Sequence, residues 1–398
     1  MLNYSSAVSW SVFLFSITIV IISLISVAFP ALLVMDSQNT KVGLPDPFET
    51  GVLFPALITA NIIIFSLTFL YFIKKLPNII VRAIDFVFAF ELSKKVTLVS
   101  TVTILIIYIS ISAPELGSED RWLDYPGIKD KVENWTITDF GTTVDAHINY
   151  LFLKLSMMIF GSYNLIPFLS SIGVIITTFF ITKQISGKRF AGVVSMVIVL
   201  QSQLFLLYDS SATYASFWVV LYLFSLYLIS KRIAIASVAP YILSIFAKAL
   251  TVLFLPMSIF YVYRAEIAKM NKTYTILAYA IIAIGGIVAS AAMGINLAGT
   301  PVEFTSLGFW QGFASFAFQL RFDALVIIFL LPLIVGLFMV SRKGIKQADS
   351  IMVLIAGMLL SAPLLTGFTD QTNQPYRFLP LVVFFAMGVG VLLSKRQT

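Results

Sequence analysis

Apolar runs of about 17–25 residues, each long enough to carry a helix across roughly 30 Å of hydrocarbon, recur from one end of this chain to the other. They stand at 10–34, 51–73, 96–112, 165–183, 190–207, 212–230, 274–297, 324–341, 350–367 and 378–394. The stretch 233–263 is too long for one span and carries Lys248 near its middle, so it reads as two short helices, 233–247 and 249–263, that turn at the lysine. The pattern predicts an all-α polytopic membrane protein of about twelve spans with both termini on one side. Composition agrees, because 59% of the chain is hydrophobic and 11% charged, where a soluble protein has roughly 45–50% and about 25%. The first run reads as a retained helix rather than a cleaved signal, since it lacks a basic lead-in and a small-residue cleavage site.

The chemistry available to such a chain is narrow. There is no cysteine, which excludes disulfides, thiolate metal sites and cysteine nucleophiles, and there is a single histidine, His147. The net charge of +7 orients the protein rather than marking a nucleic-acid partner. With the amino terminus inside, the inner segments hold most cations, among them Lys74, Lys75, Arg82, Lys94, Lys95, Lys188, Arg189, Lys231 and Arg232. The outer segments hold only Lys41, Arg121, Lys129, Lys131, Lys154, Lys248, Arg321 and Arg377. Basic residues concentrate on the cytoplasmic side of membrane proteins. The expected placement is therefore integral to the cell membrane, with cytoplasmic termini and the loop 113–164 outside.

That loop is the one long polar segment. It carries Glu115, Glu119, Asp120, Asp124, Asp130, Glu133, Asp139 and Asp145, and its second half spaces Ile148, Leu151, Phe152, Leu155, Met158 and Ile159 as a helix lying along the membrane surface. Asp124 precedes a Tyr-Pro-Gly turn that it could cap, as Asx residues do. Asn134-Trp135-Thr136 fits the glycosylation acceptor pattern. The spans hold almost no ionisable residue away from their ends, which argues against an ion-coupled carrier. Polar residues return at the outer ends of the spans: Asp209 in YDSSATY, Lys248, Arg321, and Tyr376 with Arg377 in TDQTNQPYRF. Carboxylates facing fixed cations at membrane level suit a lipid-phosphate sugar donor. The cations would hold the phosphate, while a carboxylate would take a proton from an acceptor hydroxyl or ligate a divalent cation.

The order of these features resembles the integral-membrane GT-C glycosyltransferases, which use polyprenyl-phosphate sugars and include the protein mannosyltransferases. Residues 143–230 carry most of the likeness, from AHINYLFLKLSMMIFGSYN through the basic turn SGKRFAG; SIFAKALTVLFLP and QPYRFLPLVVFF are similar to later family segments. The resemblance implies a GT-C-like helical bundle over 96–398, preceded over 1–95 by two extra helices and an inner basic loop. It also implies Asp120 as catalytic base, with Glu119 second and Asp124 third, and Lys248 and Arg377 on the donor phosphate. His147 would stand at an HPP-like position, where Ile148 and Asn149 replace the prolines. The competing expectation is a non-catalytic membrane subunit that keeps the helix arrangement and uses its outer loop to dock a membrane-protein partner.

Overall fold

The computed structural model describes residues 4–33, 46–141, 146–292, 303–321, 323–369 and 373–394. Asp145, Lys41 and the last residues of the expected 274–297 span lie outside them. The described residues form helices and no strand. Among the described residues seven helices are long and apolar enough to cross a membrane. The chain divides into two compact units, one of residues 1–91, 185–191 and 300–398, the other of 92–184 and 192–299.

In the first unit the Gln347–Phe368 helix packs against Tyr4–Ala28, Ser306–Gln319, Ala324–Arg342 and Leu379–Leu392. Leu379–Leu392 is buried along nearly its whole length, so its apolar residues meet protein and not lipid. Two glycines four residues apart let one pair of these helices come close. A Cβ at Gly308 would stand 2.4 Å from the Thr366 carbonyl oxygen, and one at Gly312 would stand 2.3 Å from Pro363 Cα. Without those side chains the backbones of Ser306–Gln319 and Gln347–Phe368 can meet, which is how helices associate when lipid supplies no hydrophobic drive. Ser9 donates to the buried carboxylate of Asp349 at 2.8 Å and ties the first helix to this core.

The second unit is built around Phe217–Ser230, which packs on Val238–Ala247. Four buried tyrosines lie in and around this pair, and each hydroxyl is satisfied. Tyr222 is bonded to Ser258, Tyr241 donates to the Thr251 carbonyl, Tyr261 pairs with Ser230, and Tyr279 pairs with Ser237. Satisfied hydroxyls let large rings fill the unit without a desolvation penalty. The chain breaks at Lys248, which is extended (φ −157°, ψ 114°) between Val238–Ala247 and a 3₁₀ turn at Ala249–Phe254, followed by Leu255–Arg264.

Two expected spans are shorter than their apolar runs. The run 190–207 ends its helix at Leu200, and Ser202 then caps a separate short helix, Gln203–Tyr208, by accepting from Phe205 N at 3.1 Å. The run 212–230 becomes helical only at Phe217. At 1.5 Å per residue these helices are about 18–21 Å long, well below a bilayer's roughly 30 Å.

Candidate functional site

In the second unit, a polar cavity of about 270 Å³ opens where the residues after the Lys94–Ser112 helix fold back over the chain between Gln203–Tyr208 and Phe217–Ser230. Glu115, Ser118, Glu119, Asp120, Arg121, Trp122, Asn164, Leu207, Ser210 and Ser211 line it. The fold-back begins at a 3₁₀ turn, Ala113–Gly117, opened by Pro114. Ser118 closes the turn by donating its hydroxyl to the Glu115 carbonyl at 2.8 Å, which leaves Ser118–Arg121 non-helical and able to present side chains to the cavity.

Asp120 is the best-held carboxylate there. Its Oδ2 accepts from the Ser211 hydroxyl at 2.8 Å and from Thr213 N at 3.0 Å, and among the described residues nothing donates to its Oδ1. Ser211 is fixed in turn by accepting from Tyr214 N at 3.1 Å. Two hydrogen bonds on one oxygen orient the carboxylate and leave the other oxygen available to a ligand. Glu119, beside it, is exposed and pairs with Lys129 at 3.6 Å. Asp124 precedes the Tyr125–Asn134 helix but makes no cap; its Oδ2 accepts from the Tyr214 hydroxyl at 2.7 Å instead. An aromatic wall completes this side: Trp122 stacks on Tyr208 with ring centres 5.0 Å apart and meets Tyr214 edge-on at 5.3 Å.

Asp209 sits one residue from the cavity lining and is itself 1% exposed. Ser112 donates to its Oδ2 at 2.7 Å and Ser171 donates to its carbonyl at 2.7 Å, while Oδ1 has no hydrogen-bond partner. Burial pushes the Asp209 carboxyl above the usual carboxylate range, and the Ser112 and Tyr108 hydroxyls oppose the shift without cancelling it. The negative charge of Glu115, a cavity residue, adds to the rise.

None of the remaining expected positions is among the residues that line the cavity. His147 is buried, its Nδ1 accepts from the Trp135 indole at 3.1 Å, and its ring lies 4.7 Å from that of Phe140. It does not line the cavity. Asn134 ends a helix on the surface, with its amide held by Asp130 through two 3.0 Å bonds. Lys248 is half-buried at the helix break. Arg321, Tyr376 and Arg377 belong to the first unit. Arg321 is exposed with its guanidinium 4.6 Å from the Phe318 ring centre; Arg377 lies against buried Tyr376 and donates to its hydroxyl at 3.4 Å.

Two positions that loop reading passes over matter here. Asn164 donates to the Ser118 carbonyl at 2.8 Å and so holds the cavity-lining strand of chain, while its Oδ1 is buried without a partner. Lys154 donates to the Trp135 and Glu133 carbonyls at 2.6 and 3.3 Å, capping the Tyr125–Asn134 helix. Neither has a local signal, because each acts through a contact remote in sequence. Among the described residues no three His, Asp or Glu side chains converge as a metal-binding set, so no step is assigned to a divalent cation. Comparison with known protein families, with curated proteins and with solved structures finds no match to this chain.

Proposed function

We propose that this chain is an integral-membrane glycosyltransferase that moves a sugar from a polyprenyl-phosphate donor to an acceptor at the outer face, with Asp120 as general base. The observation that carries the reading is the Asp120 carboxylate, held through Oδ2 and open at Oδ1 in a polar cavity walled by Trp122. Sugars present apolar ring faces and hydroxyl edges, and an aromatic plane beside carboxylates offers both kinds of contact. In the proposed step an acceptor hydroxyl passes its proton to Asp120 Oδ1 as its oxygen bonds to the anomeric carbon. The bond from that carbon to the phosphate oxygen breaks, and polyprenyl phosphate leaves with the electron pair. Arg121 stands in the cavity to meet developing negative charge, and Lys248 of the same unit is a further cation this reading would use on the donor. The topology that goes with it has about twelve spans, counting the short helix pairs as crossings, with cytoplasmic termini and 113–164 outside.

The test is sugar transfer by the purified chain in lipid bilayers across a panel of polyprenyl-phosphate sugars. Transfer that falls about 100-fold or more in Asp120→Asn supports the reading, because a general base contributes about 10²–10⁴. An absence of both transfer and donor binding in wild type overturns it.

A second reading, a non-catalytic membrane subunit, is favoured by two observations. The cavity of about 270 Å³ is small, below the roughly 300–1,000 Å³ usual for ligand sites. His147 serves as packing between Trp135 and Phe140. A stoichiometric membrane-protein partner that co-purifies, together with unchanged cell function in Asp120→Asn, would select it.

A further inference from the structure

If the Phe54–Phe72 and Lys94–Ser112 helices both cross the membrane, the chain between them stays at one membrane face. It is not the polar loop that its cations suggest, because Asn78–Ala89 is a helix with the strongest segregation of apolar and polar residues among the described helices. Asn78, Arg82, Asp85 and Ala89 fall on one narrow stripe at helical spacing. On the flank turned toward the protein, Val81, Ile84 and Phe88 are half-buried. On the opposite flank Ile79 is 78% exposed, Phe86 66% and Val87 43%, and no residue of the helix is fully buried.

The helix is pinned rather than adrift. The Lys188 ammonium donates to the Phe88 carbonyl, Arg189 N donates to Glu91 at 3.0 Å with its guanidinium 3.7 Å away, and Phe90 meets Phe190 edge-on at 4.9 Å. All of these contacts lie within the first unit. At its other end the preceding span closes on Lys74, left-handed at φ 57°, with Lys75 N bonded back to Leu70 O at 2.9 Å. Lys74, Lys75 and Arg82 are exposed, and none forms an ion pair among the described residues.

We propose that Asn78–Ala89 lies in the bilayer interface with Ile79, Phe86 and Val87 among the acyl chains, and that Lys74, Lys75 and Arg82 hold the headgroups of anionic phospholipids. An apolar stripe fixed beside the end of a membrane span meets acyl chains by position, and exposed cations on its margin that form no ion pair among the described residues match a negatively charged leaflet. The inference rests on the membrane reading alone and is independent of glycosyl transfer. It also gives the basic turn at Lys188 and Arg189 a task, which is to hold this helix at its depth.

The chain lacks cysteine, so a single introduced thiol takes a spin label without other changes. In the full chain reconstituted into phosphatidylcholine with phosphatidylglycerol, a label at Phe86→Cys should collide with oxygen and not with a water-soluble nickel chelate, and one at Ala89→Cys should do the reverse. Chelate access at Phe86→Cys, or shielding there from both reagents as under a covering protein, overturns the proposal. Spin-labelled phosphatidylglycerol should associate several-fold more strongly than spin-labelled phosphatidylcholine. That preference should fall to near parity in Lys74→Gln/Lys75→Gln/Arg82→Gln, and in wild type at high salt. Equal association of the two lipids with wild type, or a preference that salt leaves unchanged, contradicts headgroup binding whether or not the triple variant folds.

Discussion

Asp120 and Asp209 are carboxylates of one unit, joined to neighbouring ends of the same cavity lining, yet they are built for opposite ends. Asp120 is half-exposed, steadied by Ser211 and Thr213 through one oxygen and open at the other. Asp209 is buried, gripped by Ser112, and its second oxygen is enclosed without a hydrogen-bond partner among the described residues. Residue type is identical and depth separates them. A carboxylate that remains wet on one side can accept a proton from a substrate, whereas one enclosed in protein raises the cost of its own charge.

The comparison breaks first on activity. Asp120→Asn should lower transfer about 100-fold or more at unchanged melting temperature, while Asp209→Asn should stay within a few-fold of wild type. The reverse ranking would exchange the roles of the two residues. Stability sharpens it next. Ser112→Ala removes the hydroxyl that satisfies Asp209 Oδ2 and should destabilise the chain by about 1–3 kcal/mol in thermal unfolding, as expected when a buried acceptor is left unpaired. Asp209→Asn combined with Ser112→Ala should recover much of the loss.

A pH series gives a smaller effect of defined sign. Burial holds the folded Asp209 carboxyl above its unfolded value of about 3.9, so the folded state binds that proton more tightly. Its contribution to stability is therefore fully present below the unfolded value and is lost as pH rises through the folded one. Asp209→Asn should flatten this part of the melting-temperature profile. The smallest effect belongs to the surface: Glu119→Gln breaks the exposed pair with Lys129 and should change stability by less than about 1 kcal/mol.

How much of this was legible in the sequence follows the range of the forces involved. Apolar length marks most long helices within a few residues, as at Leu165–Ser186 and Gln347–Phe368, because hydrocarbon thickness acts on every span alike. The lysine inside an apolar stretch marks the break at Lys248, and three-and-four spacing marks the His147–Phe160 helix. Apolar length is blind to a polar cap such as Ser202, and to the turn in which residues 209–216 wind beside Ser112 and Ser171 before Phe217 starts its helix. The Asn78–Ala89 helix was readable in principle from the spacing of Ile79, Ala83, Phe86 and Val87, but the lysines that bracket it draw attention to charge and hide the period.

Within the cavity, sequence order singles out Asp120 and its neighbours, but not that Ser211, Thr213 and Asn164 would hold them, since those partners lie 46 to 93 residues away. Nor does sequence tell the depth of Asp209 from that of Asp120, because both follow apolar runs and only tertiary burial separates them. The same holds for His147, whose isolation in composition gives no hint that its Nδ1 accepts from the Trp135 indole.

The most direct test of the account is whether a polyprenyl-phosphate sugar occupies this cavity. Ser118→Cys places the chain's only thiol on the cavity lining, and Thr138→Cys places one on the exposed surface away from it. In bilayers, donor should slow maleimide labelling of Ser118→Cys several-fold and leave Thr138→Cys unchanged. Equal labelling of Ser118→Cys with and without donor, across the panel of lipid-linked sugars, would contradict the assignment of the site.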